Sequence, residues 1–570
     1  MELRSTGRWK LNLPLLLMWT AALVATFLVL YPLLYLIYGS LRTTLPGDPG
    51  SLTFSNYLAV FSSHKIGESI LNTLILMASV TALACPAGVL LVWITTRTDM
   101  PFRRQFEILN IFPFLLSPYV TGVAWTMLLS PRSGLINKFL VGALGLSQPP
   151  FDIFSISGTI WVLFFYYTPY MCLFISAAFK AMDPSMEEVA RTCGSSLFRT
   201  SWRITVPLAT PAILSGAILI FVHVAGMFGV PAALMHPKGD YVLTTTILHF
   251  IQVYPQQYGS AAAISMFLMM VSGLGIFIQR RVMAGKSYVT VTGKAYRPRA
   301  IKLGKWRYVA LGANLLYLFL SIVLPYGALL MVSFLRYWSG EISAEIFTLT
   351  NYTEVLVGDE AIVRSIKNSL FVSIIGSFIC LLITMLVAYL VNRTKVRGRG
   401  FFDYVTTLPV GIPGMVIAVG LLWAWIRSPI MVYGTIWIIM IAFITRYVPY
   451  GMRAFSNTLV QLGPELEESA RICGSSWFGS FRKILIPLLK PGFLSGWILL
   501  FVLFMRELST ALVLWYSGNE VISVQLYQLV RDGELSVVAA LSIVDALIMI
   551  TGIIAFRLIF KEDISAGLKG

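Results

Sequence analysis

The stretch that decides the fold is AMDPSMEEVARTCGSSLFRTSWRITVPLATPAILSGAILIFV, residues 181–222, because the chain contains a second copy of it. Residues 461–502 read QLGPELEESARICGSSWFGSFRKILIPLLKPGFLSGWILLFV, and 21 of the 42 aligned positions are identical without a gap. The offset between the copies is a constant 280 residues. In each copy a polar segment precedes an apolar run. The chain therefore consists of two related halves, each with the same polar segment between hydrophobic ones.

Composition places both halves in a membrane. The chain is 57% hydrophobic and only 12% charged, whereas charged residues make up about a quarter of an ordinary soluble protein. Apolar runs of about 20 residues recur along the sequence, which is the length needed to cross a bilayer as a helix. The first run, 13–38, follows three basic residues as a signal peptide would. It is too long for a secretory segment and lacks a clear cleavage site, so we expect an uncleaved first span.

The hydrophobic pattern predicts an all-α integral membrane protein with about twelve transmembrane helices, six in each half. A first half at 1–285 and a second half at 306–570 are joined by a basic linker at 286–305. The predicted spans lie near 13–38, 68–96, 106–129, 157–179, 209–234 and 258–279, and near 308–334, 365–391, 404–426, 431–452, 491–515 and 535–557.

Positive charge predicts the orientation of these spans. Of the 43 Lys and Arg residues, 31 fall on the side of the N-terminus, 10 on the other side and 2 at membrane depth. The positive-inside rule then places both termini and both repeated polar segments in the cytoplasm. The net charge of +17 follows from this topology, so a nucleic-acid partner is not needed to explain it. The basic linker is compatible with a solvated segment or with contact to membrane lipid headgroups.

Each repeated polar segment predicts a short helix, a bend and a second short helix. Asp183-Pro184 and Gly463-Pro464 begin the first helix, because proline suits the first helical turn. Acidic side chains follow near the positive end of the helix dipole, and a glycine ends the helix. The candidate contact residues are Glu187, Glu188, Ala190, Arg191, Gly194 and Pro207 in segment 183–207, and Glu467, Glu468, Ala470, Arg471, Gly474 and Pro487 in segment 463–487.

Two interpretations fit one such segment taken alone. A bent helical pair with charged edges suits docking into a cleft on another protein, whereas an amphipathic helix can also lie on lipid headgroups. Duplication at half identity favours docking, because it indicates two equivalent sites for one kind of partner.

The motif itself resembles the coupling loop of permeases of binding-protein-dependent ABC importers. Its pattern is E-x-A-x-x-x-G followed by I-x-x-P, which the first copy holds as Glu188 to Gly194 with Ile204 and Pro207. Val189 and Ser469 depart from the family's double alanine. The resemblance implies two fused type I permease halves in a bacterial inner membrane. It also implies a periplasmic substrate-binding protein and two cytoplasmic ATPase subunits, which bind ATP and Mg and receive the two loops.

The chain itself carries no sign of catalysis. No G-x-x-x-x-G-K-[ST] motif occurs in it, so we expect a separate subunit to hydrolyse ATP. Its five cysteines show neither metal-ligand spacing nor a disulfide pattern. The four histidines are dispersed without paired acids, so no catalytic residue, metal site or bound cofactor is assigned. The prediction is a transport subunit, not an enzyme.

Ionisable residues at membrane depth mark candidate pathway positions, because they are costly there and usually face a cavity or one another. Two interpretations remain open for Arg506: it lines the pathway, or it clamps spans by pairing with Asp545 or Glu507. His223 is compatible with packing as well as with a pathway role. The candidates are Arg446, Arg506, Glu507, Asp545 and His223.

The segments RELSTALVL at 506–514 and FGVPAAL at 228–234 resemble the ferric-iron group of these permeases. That resemblance implies import of Fe(III) by alternating access, and thiamine, polyamine and aminoethylphosphonate permeases are its relatives. An ion-coupled secondary transporter is a rival class, but matched buried acids in the two halves are not evident. A channel or scaffold is another, and it leaves the duplicated segment unexplained.

Overall fold

Long apolar helices dominate the molecule. The computed structural model describes residues 13–182, 185–283 and 301–560. Within these ranges, nine helices are long and apolar enough to cross a membrane, and two bent helix pairs pass the same test when each counts as one span. The first half contributes Leu13–Ser40, His64–Arg97, the pair Arg103–Leu115 and Pro118–Leu129, Ile156–Lys180, Ser201–Ala225 and Tyr258–Val282.

The second half repeats the same order. Its helices are Trp306–Ser333, Glu360–Arg393, the pair Arg399–Gly411 and Gly414–Trp425, Ile436–Gln461, Trp477–Met505 and Leu535–Phe556. Ile436–Gln461 is 26 residues long but contains Arg446 and Arg453, which lower its hydropathy. Every predicted span thus has a helical counterpart, and we number them spans 1 to 12 in chain order. The twelve-helix, two-half architecture is confirmed.

Spans 3 and 9 are broken into elbows, which the hydropathy pattern did not predict. The two helices of each pair meet at 92° in span 3 and at 112° in span 9. In both elbows a single turn of 3-10 helix leads to extended residues and then to the next helix, around Pro118 in span 3 and Pro413 in span 9. Proline lacks the N–H that would continue the helical ladder and pushes the preceding residue into extended backbone.

Spans 5 and 11 end earlier than the sequence predicted. We expected them to run to 234 and 515, but the helices stop at Ala225 and Met505. A non-helical break follows, and then a short helix at Gly229–Leu234 or Ala511–Leu514. Irregular backbone at membrane depth is tolerated only where protein covers it or where it lines a cavity. We therefore expect the two breaks to lie inside the protein, away from lipid.

The first span of each half packs against the opposite half. In span 1 the carbonyl of Leu28 accepts a hydrogen bond from Thr445 Oγ1 of span 10 at 3.3 Å. In span 7 the amide of Asn314 accepts a buried hydrogen bond from Asn110 of span 3 at 2.8 Å. The first span of each half is therefore exchanged onto the other half, which links the two halves although they follow one another in the chain.

Two sequence predictions fall largely outside the described ranges. The helix start at Asp183-Pro184 is one, and most of the linker at 286–305 is the other. The domain boundaries at 285 and 306 stay predictions.

Candidate functional site

The two repeated segments fold into the same bent helical pair. In the first, helix Ser185–Thr192 ends at Gly194, whose φ of +83° is left-handed. Gly194 N–H donates to the carbonyl of Arg191, and Ser195 N–H donates to the carbonyl of Ala190, each at 3.0 Å. This pair of bonds is a Schellman cap, which satisfies the last carbonyls of the helix and turns the chain sharply.

The second segment reproduces this cap. Helix Glu465–Ile472 ends at Gly474, with a φ of +81°. Ser475 N–H donates to the carbonyl of Ala470 at 2.9 Å. The predicted glycine bend is therefore present in both copies. We name residues 185–207 and 465–487 the first and second bent loops.

The second short helix of each loop is continuous with the span that follows. Leu197–Thr200 passes through one π-helical turn, Ser201–Thr205, into span 5. In the same way Trp477–Ser480, which begins span 11, passes through the π-helical turn Phe481–Leu485 into the long helix Ile486–Met505 of that span. Pro207 and Pro487 lie in the first turn after the π-helix. Since the backbone is continuous, a displacement of either loop is transmitted directly to its span.

Most of the predicted contact residues are exposed on the loops. Glu188, Arg191, Glu468 and Arg471 are exposed, as are Gly194, Gly474, Pro207 and Pro487, whereas Ala190 and Ala470 are half-buried. Apolar side chains stand beside these charges: Val189 is 62% exposed and Ile472 is 86% exposed. A surface that mixes charged and bare apolar side chains suits contact with a protein partner.

Glu187 and Glu467 differ from the other predicted contact residues, because both are turned into the permease and are only 8% exposed. Glu187 accepts a hydrogen bond from Thr205 Oγ1 at 2.7 Å, and Arg97 at the end of span 2 lies 3.8 Å from its carboxylate. We therefore retain Glu188, and not Glu187, as a candidate contact with a partner. Glu187 anchors the loop to span 2.

The second loop has an equivalent anchor with different partners. Glu467 lies 3.2 Å from Arg393 at the end of span 8, and it accepts a hydrogen bond from Tyr389 OH at 2.7 Å. Trp477 Nε1 of the same loop donates to Tyr389 OH at 3.0 Å. Arg97, Arg393 and Tyr389 were not among the residues predicted from sequence. The signal that could have revealed the two arginines is that both stand at the C-terminal end of the second span of their half.

Glu507 is the centre of the intramembrane polar cluster. Its Oε1 accepts hydrogen bonds from Arg446 Nη1 at 2.5 Å, from Ser509 Oγ at 2.8 Å and from Thr510 Oγ1 at 2.7 Å. Its Oε2 accepts one from Tyr447 OH at 2.5 Å. The carboxylate is 5% exposed and is fully paired, as a charge buried in a membrane protein must be. Glu507 and Arg446 thus join span 10 to the break after span 11.

Arg506 forms neither of the ion pairs considered from sequence. Its guanidinium lies 4.3 Å from the centroid of the Phe114 ring and donates to the Phe114 carbonyl through Nη1. No carboxylate among the described residues forms an ion pair with it. The clamp interpretation through Asp545 or Glu507 is therefore wrong, and Arg506 instead joins its break to the elbow of span 3.

The two remaining candidates behave differently. His223 Nδ1 contacts the carbonyl of Leu219 at 2.8 Å, and its Nε2 lies 3.1 Å from Tyr170 OH, so both ring nitrogens have a partner within the protein. Asp545 is 2% exposed in span 12, and its Oδ1 has no hydrogen-bond partner within the described ranges. Asp545 does not line the cavity described next.

A cavity of about 130 Å³ lies where the two elbows and the two breaks meet. Both halves line it. Four of the five candidate residues are on its wall: His223, Arg446, Arg506 and Glu507. Aromatic rings form much of the rest, contributed by Phe114, Tyr119, Tyr166, Tyr167, Tyr170, Tyr447 and Tyr450.

The tyrosines on this wall follow a repeat that our sequence analysis missed. Tyr167-Thr-Pro-Tyr170 in span 4 and Tyr447-Val-Pro-Tyr450 in span 10 are 280 residues apart, the same offset as the loops. Extending the comparison of the halves upstream of the polar segments would have found them. The Tyr-x-Pro-Tyr pair shows that the cavity lies on the pseudo-symmetric interface of the halves.

Broken helices around a polar cavity at the interface of two repeats define a membrane transport protein. The family described as binding-protein-dependent transport system inner membrane component matches residues 75–285 and again 381–561. The chain belongs to this family, with one copy of the family's domain in each half. It is therefore the permease of an ABC-type importer, a transport subunit that works with a substrate-binding protein.

Two of the curated relatives match most of the chain, and a third matches less than half of it. A putative ferric transport system permease protein, FbpB 1 of Haemophilus influenzae, is 28% identical over 499 residues, covering 86% of this chain and 76% of that protein. The ferric transport system permease protein FbpB of Actinobacillus pleuropneumoniae is 27% identical, covering 87% and 72%. A putative 2-aminoethylphosphonate permease, PhnV of Salmonella typhimurium, is 27% identical over 235 residues, covering 41% of this chain and 87% of that protein.

Among solved structures, a bacterial alginate ABC transporter in complex with an alginate pentasaccharide-bound periplasmic protein aligns with a TM-score of 0.37 and 20% identity. The alignment covers 41% of this chain and 84% of that one.

Proposed function

We propose that this chain is the membrane permease of an importer for ferric iron, driven by ATP hydrolysis on separate subunits. The support for iron is that permeases named for ferric transport match along most of the chain, whereas the aminoethylphosphonate permeases match less than half of it. Thiamine, polyamine and organophosphonate remain alternative cargoes for the same machinery.

The bent loops are the proposed sites of energy input. Each holds a rigid glycine cap, exposed charged and apolar edges, and an unbroken helical connection to span 5 or span 11. Two equivalent loops call for two ATPase subunits. When ATP draws those subunits together, the loops move with them and carry spans 5 and 11, whose broken ends line the cavity.

Alternating access follows from this arrangement. The cavity opens outward to receive solute from the periplasmic binding protein, and hydrolysis returns the inward-facing state. The energy enters through different binding of the partners to the two states, as any coupling requires. We further propose that the chain lies in a bacterial inner membrane with both termini in the cytoplasm, as the positive-inside rule predicts.

Reconstitution tests this proposal. The chain would be placed in liposomes with its ATPase subunits and its binding protein loaded with radiolabelled Fe(III). Uptake that depends on ATP and on the binding protein supports the proposal. Uptake by the chain alone, driven by a proton or sodium gradient, rejects it in favour of a secondary transporter.

A further inference from the structure

The interface cavity carries one positive charge that no carboxylate in the described part of the chain pairs with. Three of its lining side chains are charged at neutral pH: Arg446, Arg506 and Glu507. Glu507 is bound to Arg446 at 2.5 Å, and the same carboxylate accepts bonds from Ser509, Thr510 and Tyr447. Since that carboxylate is already paired with Arg446, Arg506 has no counterion among the residues that the structure describes.

Arg506 is held in a way that leaves donors free. The Phe114 ring supports one face of the guanidinium, and the Phe114 carbonyl accepts from Nη1. A guanidinium has five N–H donors in one plane, and no second hydrogen bond from this one reaches a described residue. Arg506 is part of the cavity wall, and a planar guanidinium with unused N–H groups can recognise an oxyanion with two parallel bonds.

The rest of the wall lacks what a bare metal cation requires. Within the described ranges, no group of three or more His, Cys, Asp or Glu residues could hold a metal ion. Other polar residues of the wall include Tyr166, Tyr167 and Tyr450, whose phenol hydroxyls can donate or accept a hydrogen bond. Because the charge of Arg506 gives this wall a net positive charge, the wall disfavours a bare trivalent cation and favours a negatively charged oxygen group.

We propose that Arg506 forms an anion subsite in the cavity, and that the cargo crosses the membrane presenting a carboxylate, phosphate or phosphonate group to it. This inference rests on the proposed function, because it takes the cavity as the cargo's route. Iron then crosses as a complex with an oxyanion and not as a bare ion. An organophosphonate satisfies the same subsite directly.

The test uses the assembled transporter in proteoliposomes with its ATPase subunits and binding protein. The probes are 2-aminoethylphosphonate and Fe(III) citrate as oxyanion cargoes, and thiamine and spermidine as cationic ones. Uptake by the wild type is compared with uptake by Arg506→Gln and Arg506→Lys. Arg132→Gln is the control, because Arg132 is exposed in the segment after span 3 and is not part of the cavity wall.

We expect Arg506→Gln to raise the half-saturating concentration of the oxyanion cargo by about tenfold, since a hydrogen-bonded charge is lost. The control Arg132→Gln should keep the half-saturating concentration of the wild type and its stimulation of ATP hydrolysis by the binding protein. Arg506→Lys should raise the same concentration several-fold, because an ammonium group cannot form two parallel bonds. The two oxyanion probes separate a free phosphonate from an iron-bound oxyanion.

Three outcomes separate the two claims. If the wild type imports none of the probes with ATP, the proposed function fails, and the subsite fails with it. If the wild type imports an oxyanion cargo and Arg506→Gln does so with unchanged half-saturation, only the subsite is overturned. Preferred import of thiamine or spermidine overturns the subsite and the assignment of iron as cargo, but leaves the ATP-driven importer in place. Should Arg506→Gln not assemble, an unchanged half-saturation in Arg506→Lys contradicts the proposal.

Discussion

Gly226 and Arg506 occupy equivalent positions 280 residues apart, and each lies against the elbow of the opposite half. A Cβ atom on Gly226 would lie 2.9 Å from Cβ of Pro413 in span 9. The Arg506 guanidinium lies against Phe114 in span 3. The same contact between a break and an elbow therefore occurs twice. Gly226, which has no side chain, makes it in the first case, and the Arg506 guanidinium makes it in the second. The two halves thus share one architecture, but only the second half contributes a charged side chain at this position of the cavity wall.

Replacement of Gly226 by alanine should destabilise the protein. The added Cβ is closer to Pro413 than side chains normally approach, so overpacking should cost about 1–3 kcal/mol. The measurement is the thermal unfolding temperature of the purified protein in detergent. Gly273→Ala is the matched control, because a Cβ there meets nothing within 4 Å. Equal unfolding temperatures for the two variants would refute the tight contact.

Glu507→Gln should be strongly destabilising. Arg446 would then be left as a charge without its carboxylate partner in a buried cluster, which typically costs about 3–5 kcal/mol. The double variant Arg446→Gln with Glu507→Gln should recover part of that loss, because no uncompensated charge remains. Unfolding of the four proteins of this double-mutant cycle gives the coupling energy. Additive effects of the two substitutions would show that the pair is not a unit.

The anchor of the first loop is tested by Glu187→Gln. The substitution leaves Arg97 with no charged partner and weakens the link between loop and span 2. We expect amide hydrogen exchange in residues 185–205 to accelerate by about tenfold, equivalent to roughly 1.4 kcal/mol. Glu467→Gln should do the same for residues 465–485.

Glu188→Gln is the control for this anchor, since Glu188 is exposed on the same helix. Its exchange rates should match those of the wild type, while its coupling to ATP hydrolysis falls. Equal exchange in the Glu187 and Glu188 variants would remove the distinction between anchor and contact residue.

The glycine bends give a prediction about coupling. Gly194→Val and Gly474→Val force a branched side chain into left-handed backbone, which costs about 1–2 kcal/mol at each position. ATP-dependent uptake should fall while insertion into the membrane is unchanged. Gly67→Val serves as the comparison, because Gly67 lies in ordinary helical backbone with open space around it. Wild-type uptake by the Gly194 and Gly474 variants would mean that the bend is dispensable.

The sequence was sufficient for features governed by local physics. The number and order of the spans follow from hydropathy, although the ends of spans 5 and 11 do not, and the bends at Gly194 and Gly474 follow from the backbone freedom of glycine. The elbows at Pro118 and Pro413 could also have been predicted from the sequence, because each proline lies within an apolar run. Hydropathy alone does not reveal these elbows, because each run stays apolar through the bend.

Side-chain pairs and helix contacts that depend on which spans become neighbours could not be predicted from local sequence. Glu507 pairs with Arg446, 61 residues away, and not with the adjacent arginine or with Asp545. Glu187 and Glu188 are neighbours in sequence with opposite orientations, which a helix dipole argument does not distinguish. The exchange of spans 1 and 7 likewise depends on long-range packing that no periodicity encodes.

Labelling of Cys193 and Cys473 tests the central claim most directly. Both thiols are exposed on the bent loops, whereas Cys172 and Cys380 are buried and Cys85 is half-buried. A membrane-impermeant maleimide should modify both loop thiols in inside-out vesicles and neither in right-side-out vesicles. Added ATPase subunits should protect them from the reagent. Modification from the outer side only, or the same modification with and without the ATPase, would contradict the assignment of these loops as the sites of energy input.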